Sequence, residues 1–128
     1  MTRAIAKQLQ LRILYRDSWH CTYCKTPLFF SPTLKLLEGV SPGHGYYDQH
    51  GKRGAMLSEL ENSCACCDHV EPYRTGGPTT EENLAASCFR CNRAKSDGDV
   101  PTIEPWPDEP RAPNWDGLAS LYPALPGA

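Results

Sequence analysis

Apolar residues recur four apart at Ile5, Leu9 and Ile13, within a stretch (2–17) of good helix formers that contains neither glycine nor proline. That spacing lines one face of a helix and predicts a single amphipathic helix. The helix runs into Trp19-His20-Cys21-Thr22-Tyr23-Cys24, read as a tight turn. The pattern then degrades, because residues 31–62 hold Pro32, Gly39, Pro42, Gly43, Gly45, Gly51 and Gly54. These mark turns, so an irregular insertion is expected, with a short hairpin around 46–53 and a helical turn or two near 56–60. Residues 63–70 are compact, small and apolar until Pro72, Gly76, Gly77 and Pro78 break them, which predicts a strand feeding a long loop. A second short apolar stretch at 83–87 leads into helix-compatible, basic residues from 88 to about 96. The middle therefore reads strand, loop, strand, helix. The last 32 residues hold 7 of the 12 prolines and one helix-like island at Trp115, Leu118, Leu121 and Tyr122. They predict a tail (97–128), partly disordered or docked.

With 128 residues the chain suits one domain of modest core, expected over 1–96, and not a large multidomain enzyme. No apolar run approaches the ~18 residues that span a bilayer, and no apolar stretch follows Met1. A soluble, cytoplasmic protein with no membrane partner is expected. Seven cysteines is an odd count, and four of them fall in two Cys-x-x-Cys pairs, which favours bound metal in a reducing compartment over disulfides. The net charge of −2 hides an asymmetry: residues 1–96 carry 12 basic and 9 acidic side chains, whereas 97–128 carry Arg111 against six acids. The body is thus mildly basic, and the stretches 1–25 and 84–96 offer places for phosphate.

Two constellations carry chemistry. The first pairs Cys21-x2-Cys24 with Cys88-x2-Cys91 across 63 residues. Zinc prefers a tetrahedral shell of thiolates and imidazoles, and each turn can supply two thiolates without strain, so a structural four-cysteine zinc site is expected. A closed shell does no catalysis. Its task is to pin the N-terminal helix onto the strand-loop-strand-helix unit, which makes metal-binding energy folding energy. The second is Asp68-His69, then Asn83 after 13 residues, then Asn92 after 8 more, directly following Cys91. A lone histidine beside an acid is ordinarily a hydrogen-bonded, partly buried imidazole.

Here His69 is accompanied by Arg74, Gly76-Gly77, Asn83-Leu84 and Cys88-x2-Cys91-Asn92-x2-Lys95, with Arg16-Asp17 and Cys21-x2-Cys24 upstream. At these spacings the chain resembles the HNH endonuclease family, in its zinc-stapled branch with paired Cys-x-x-Cys, over roughly 9–30 and 63–97. The resemblance implies an α+β chain whose ββα-metal nuclease core carries an N-terminal helix pinned by the zinc site, with the insertion and the tail outside it. It implies Asp68 and Asn92 as ligands of a catalytic divalent cation, His69 as general base and Asn83 as loop organiser. Phosphodiester hydrolysis needs a nucleophile made from water and charge stabilisation of the phosphorane, which a near-neutral histidine and a hard, oxygen-bound cation supply. Products with 3′-hydroxyl and 5′-phosphate ends follow by the same resemblance. The departure is at the last letter: Asn92 stands where the motif has histidine, which favours Mg2+ or Mn2+ over softer ions.

Arg74, Arg90, Arg93 and Lys95 are the expected contacts to DNA phosphates. Cys64, Cys66 and Cys67 read as small strand residues in preference to a second metal site shared with His44 or His50, and His20 reads as a surface residue. Three readings follow: a DNA endonuclease, a catalytically silent zinc-stapled DNA-binding module, and an acidic tail that screens the basic groove or docks a protein partner. A homodimer is compatible with the first, since a double-strand break wants two sites.

Overall fold

The structure, a computed structural model, describes residues 4–48, 55–95 and 114–128. Helix α1 (Lys7–Arg16) buries Ile13 and Leu14, with Ile5, Leu9 and Leu11 packed at the edge of the same core. The chain reverses immediately after it, because Ser18 and Trp19 both take left-handed backbone conformations, at φ 57° and 55°. Two such residues in succession are costly for L side chains and persist only where packing compels them. Here the compelling contact is Trp19, fully buried, with its ring edge-to-face against Tyr15 (5.4 Å) and Phe30 (5.9 Å).

The insertion corrects the expectation of irregularity over 31–62. A ten-residue helix, α2 (Ser31–Val40), forms there and buries Thr33 and Leu34. Pro32 falls in its first turn, where no intrahelical N–H is required, so that proline starts the helix and does not break it. Residues 46–48 are not strand, and the rest of the expected hairpin, including His50, lies outside the described residues. The short helix near 56–60 is α3 (Ser58–Asn62).

Strands β1 (Ala65–His69) and β2 (Leu84–Cys88) pair antiparallel, in the register Ala65↔Cys88 through His69↔Leu84. All five β2 residues are buried, as expected of a strand covered on both faces. Helix α4 (Phe89–Lys95) follows without a gap and completes a ββα unit, and α1 packs across both strands. This small α+β fold is the ββα core expected from the sequence.

The far end of the tail is docked. Phe30 N–H donates to Gly117 O (2.8 Å), Thr33 Oγ1 to Leu118 O (3.0 Å), and Trp115 Nε1 to Leu28 O (2.6 Å), before a 3-10 helix at Ala119–Ala124. Residues 96–113, with most of the acidic charge, lie outside the described residues. Among the described residues no helix is long and apolar enough to cross a membrane.

Candidate functional site

The ββα unit is held from behind by sulfur. Cys21, Cys24, Cys88 and Cys91 are all buried, and their Sγ atoms lie within 4.8 Å of one another. Cys24 and Cys88 Sγ are 3.6 Å apart, against about 3.8 Å for two sulfurs on a tetrahedral zinc with ~2.3 Å bonds. Each knuckle folds alike: Cys24 N–H points at Cys21 Sγ (3.5 Å) and Cys91 N–H at Cys88 Sγ (3.3 Å). The four sulfurs titrate together: hydrogen bonds from Cys24 and then Cys88 hold the Cys21 thiol below its ordinary pKa, whereas hydrogen bonds with Cys21 and Cys24 push Cys88 up and burial pushes Cys91 up. Four converging thiolates fit zinc and leave no open position. Among the described residues this is the one group of three or more histidine, cysteine and acidic ligands within reach of a single ion.

A second clamp joins α1 to β2. Arg16 grips Asp17 with two bonds (2.8 and 2.9 Å) and donates to the carbonyls of Glu81 (2.8 Å) and Leu84 (2.7 Å), while Asp17 Oδ2 accepts from Ala86 N–H (2.9 Å). Burial pushes the Asp17 carboxyl up, but the bonds from Arg16 and Ala86 outweigh it and hold the pKa below the usual carboxylate value. The pair therefore fixes where β2 starts, and with it the loop that precedes it.

That loop, 70–83, is braced by Asn83. Its Oδ1 accepts from Glu71 N–H (2.9 Å), and its Nδ2 donates to Glu71 O (3.1 Å) and Pro78 O (2.8 Å). Gly77 is required within the loop, since a Cβ there would run into the Glu71 carbonyl. His69, at the end of β1, is buried, with Nε2 2.8 Å from Thr79 Oγ1 and its ring 5.8 Å from that of Tyr73. Asn83 and Thr79 thus hold the loop and the imidazole from opposite ends of one turn.

Asp68 faces the other way along β1, as strand alternation demands, toward α4 and the first knuckle. Its Oδ2 accepts from Tyr23 Oη (2.7 Å) and from Lys95 Nζ (2.6 Å), and Lys95 also donates to the carbonyls of His69 and Val70. The Lys95 side chain is only 3% exposed. Burial, then the Asp68 hydrogen bond, pushes the Tyr23 phenol well above its ordinary pKa, so it stays a donor. Three oxygens therefore converge on one cationic point, a donor set suited to a hard cation and held by an ammonium group. Asn92 lies exposed on α4, three residues before Lys95, with no bond to Asp68 among the described contacts.

Three expectations are corrected here. Lys95, expected on phosphates, is buried and satisfied by Asp68 and two backbone carbonyls. Arg90, expected likewise, is half-buried, its charge beside Cys24, Cys88 and Cys91. His20, read as a surface residue, is 3% exposed, because the left-handed turn before it draws it inward; its Nδ1–H donates to Ser18 O (2.6 Å). Arg93 and Arg74 are exposed, Arg93 lying over the Phe89 ring at 5.2 Å. Cys64, Cys66 and Cys67 are strand-side thiols, burial pushing them up to about 11, 12 and 11. They join no metal group with His44. Tyr23 and Thr79, which meet Asp68 and His69, were missed, because neither lies at a spacing that marks it in the linear sequence.

No curated protein and no solved structure matches the chain. Residues 55–98, which span α3, both strands, the braced loop and α4, match the family model described as HNH endonuclease, and the ββα unit beside a four-cysteine cluster is consistent with a small HNH fold.

Proposed function

We propose that the chain is a metal-dependent endonuclease hydrolysing DNA phosphodiester bonds at the end of the β1–β2 hairpin that the 70–83 loop closes. The observation that supports it most is the adjacency of two differently furnished residues, His69 against the Asn83-braced loop and Asp68 in an oxygen-rich pocket, on a hairpin beside a four-cysteine cluster. His69 is the general base: the Thr79 contact fixes the rotation of the ring, as an orienting partner does for a catalytic imidazole. Asp68 and Asn92 would hold the divalent cation, Mg2+ or Mn2+, and when bound it would stabilise charge on the phosphorane and the leaving oxygen. Asn83 acts on geometry alone, keeping the loop closed on His69. Arg93 and Arg74, the exposed arginines of α4 and of the loop, would contact flanking phosphates. The zinc stays structural, and the site works in the cytoplasm as a single domain over 1–96 or as a homodimer.

Cleavage of supercoiled plasmid by zinc-loaded protein with added Mg2+ or Mn2+, run beside His69→Ala, tests this. Loss of at least ~100-fold in the variant is expected for removal of a general base. Equal rates would refute the assignment. A second reading, a zinc-stapled DNA-binding module that does not cut, is favoured by one observation: Asp68 is ion-paired to Lys95 while Asn92 stands apart. It expects DNA binding without cleavage under any divalent metal.

A further inference from the structure

Lys95 ends α4, four residues after the buried Cys91, and its ammonium sits among Asp68 Oδ2, His69 O and Val70 O. The Tyr23 ring lies 5.8 Å from Nζ. These are the groups that surround a bound cation: one carboxylate, two carbonyls and an aromatic face. A buried ammonium paired in this way neutralises a carboxylate that would otherwise be charged and poorly solvated. The same carboxylate is the residue assigned to the divalent cation in the proposed function. Two cations cannot share Oδ2 at hydrogen-bond distance, because their mutual repulsion in a poorly solvated site is large.

We infer that Lys95 is the resident counter-ion of Asp68, and that a divalent cation enters this site only by displacing its ammonium. Lys95 is a positioning residue in both states. Without the divalent ion it holds the end of β1 through the carbonyls of His69 and Val70, which keeps His69 in place. On exchange, its four-carbon stem lets the ammonium move outward along α4 toward the exposed side that carries Arg93, where a phosphate can meet it. The inference rests on the reading of Asp68 as a cation ligand, and it adds a competitor that sets the affinity of that site.

Mn2+ binding to the zinc-loaded full chain, read by electron paramagnetic resonance, tests the competition directly. Lys95→Met keeps the length of the stem and removes the charge, so it is expected to bind Mn2+ at least ~10-fold more tightly than the wild type, as befits loss of a charge-assisted hydrogen bond that the metal must otherwise break. Equal or weaker binding by a folded Lys95→Met protein overturns the inference. Because that variant leaves Asp68 without its partner, the wild-type chain supplies a second measurement that needs no substitution. The 15N resonance of the Lys95 ammonium, protected by its three bonds, should be observable without divalent metal and should shift or vanish as Mg2+ is added. A resonance unmoved while Mn2+ binding is saturated, or no binding of Mn2+ by either protein, also overturns it. Plasmid cleavage by the wild type is scored separately: cutting with no affinity difference removes the competition and leaves the nuclease, whereas tighter Mn2+ binding without cutting does the reverse.

Discussion

Asn83 offers a substitution whose size can be worked from its bonds. Alanine removes three of them: one accepted from Glu71 N–H and two donated, to Glu71 O and Pro78 O. Each is worth a net ~0.5–1.5 kcal/mol, and the two to Glu71 are exposed, so they belong at the lower end; the sum is about 2 kcal/mol. For a chain of this size that lowers the melting temperature by roughly 5–10 °C. Asn83→Asp separates the roles of the two ends of the amide. It keeps the acceptor for Glu71 N–H but turns the donor end into an oxygen aimed at two carbonyl oxygens, so it should cost at least as much as alanine despite its nearly identical shape. Urea denaturation of the zinc-loaded proteins gives the free energies, and amide exchange at Glu71 shows whether the loop opens locally before the hairpin does. An Asn83→Asp protein within ~0.5 kcal/mol of the wild type would refute the bracing role, since the two donated bonds would then contribute nothing.

Three further outcomes are expected. Cys24→Ser, or removal of zinc by a strong chelator, should abolish cooperative melting, because metal binding at such sites supplies ~10–16 kcal/mol, as much as a small domain's whole stability; an unchanged circular dichroism melt of the metal-free chain would contradict this. Asp17 has a depressed pKa, so the stability it contributes is complete above the unfolded carboxylate value near 4 and is lost as pH falls through the lower folded value; Asp17→Asn should flatten that part of the stability–pH profile, and an unaltered profile would count against the clamp. Gly117→Ala should release the docked end of the tail, because φ is 69° there and a Cβ would run into the Trp19 indole; Trp19 and Trp115 fluorescence should shift to the red, and a stable variant with wild-type emission would show that the contact is dispensable.

The hairpin and α4 were legible because their limits are written in local chemistry. Pro72, Gly76 and Gly77 end the first strand, and the Cys88-x2-Cys91 knuckle fixes the turn from strand to helix. Helix α2 was hidden by the same kind of signal read without its position: Pro32 and Gly39 punctuate a chain in general, yet at the first and last turns of a helix they are tolerated. Of the docked tail only the helix-like island at 115–122 was legible, and the groups it docks on were not. Its three hydrogen bonds join residues 85 to 87 positions apart in the chain, and no local pattern encodes that the Leu28 carbonyl, the Phe30 N–H and the Thr33 hydroxyl are left waiting for partners.

The basic residues of α4 show a finer distinction, in which the signal was present but was overridden by charge. Successive residues of α4 turn by 100°, so Lys95 projects within about 40° of Cys91, while Arg93 projects to the opposite side. A lysine on the face of a buried metal-binding cysteine must either snorkel out or find oxygen partners inside. Asp68 and the carbonyls at the end of β1 are the only such partners that the hairpin register brings to that face among the described residues, since Asp68 alternates away from His69 and toward α4. Helical phase therefore separates Lys95, which faces inward to oxygen, from Arg93, which faces solvent, where total charge counts them alike. By the same phase Asn92 falls about 60° from Lys95, the side on which the proposed exchange would need it once the ammonium had moved aside.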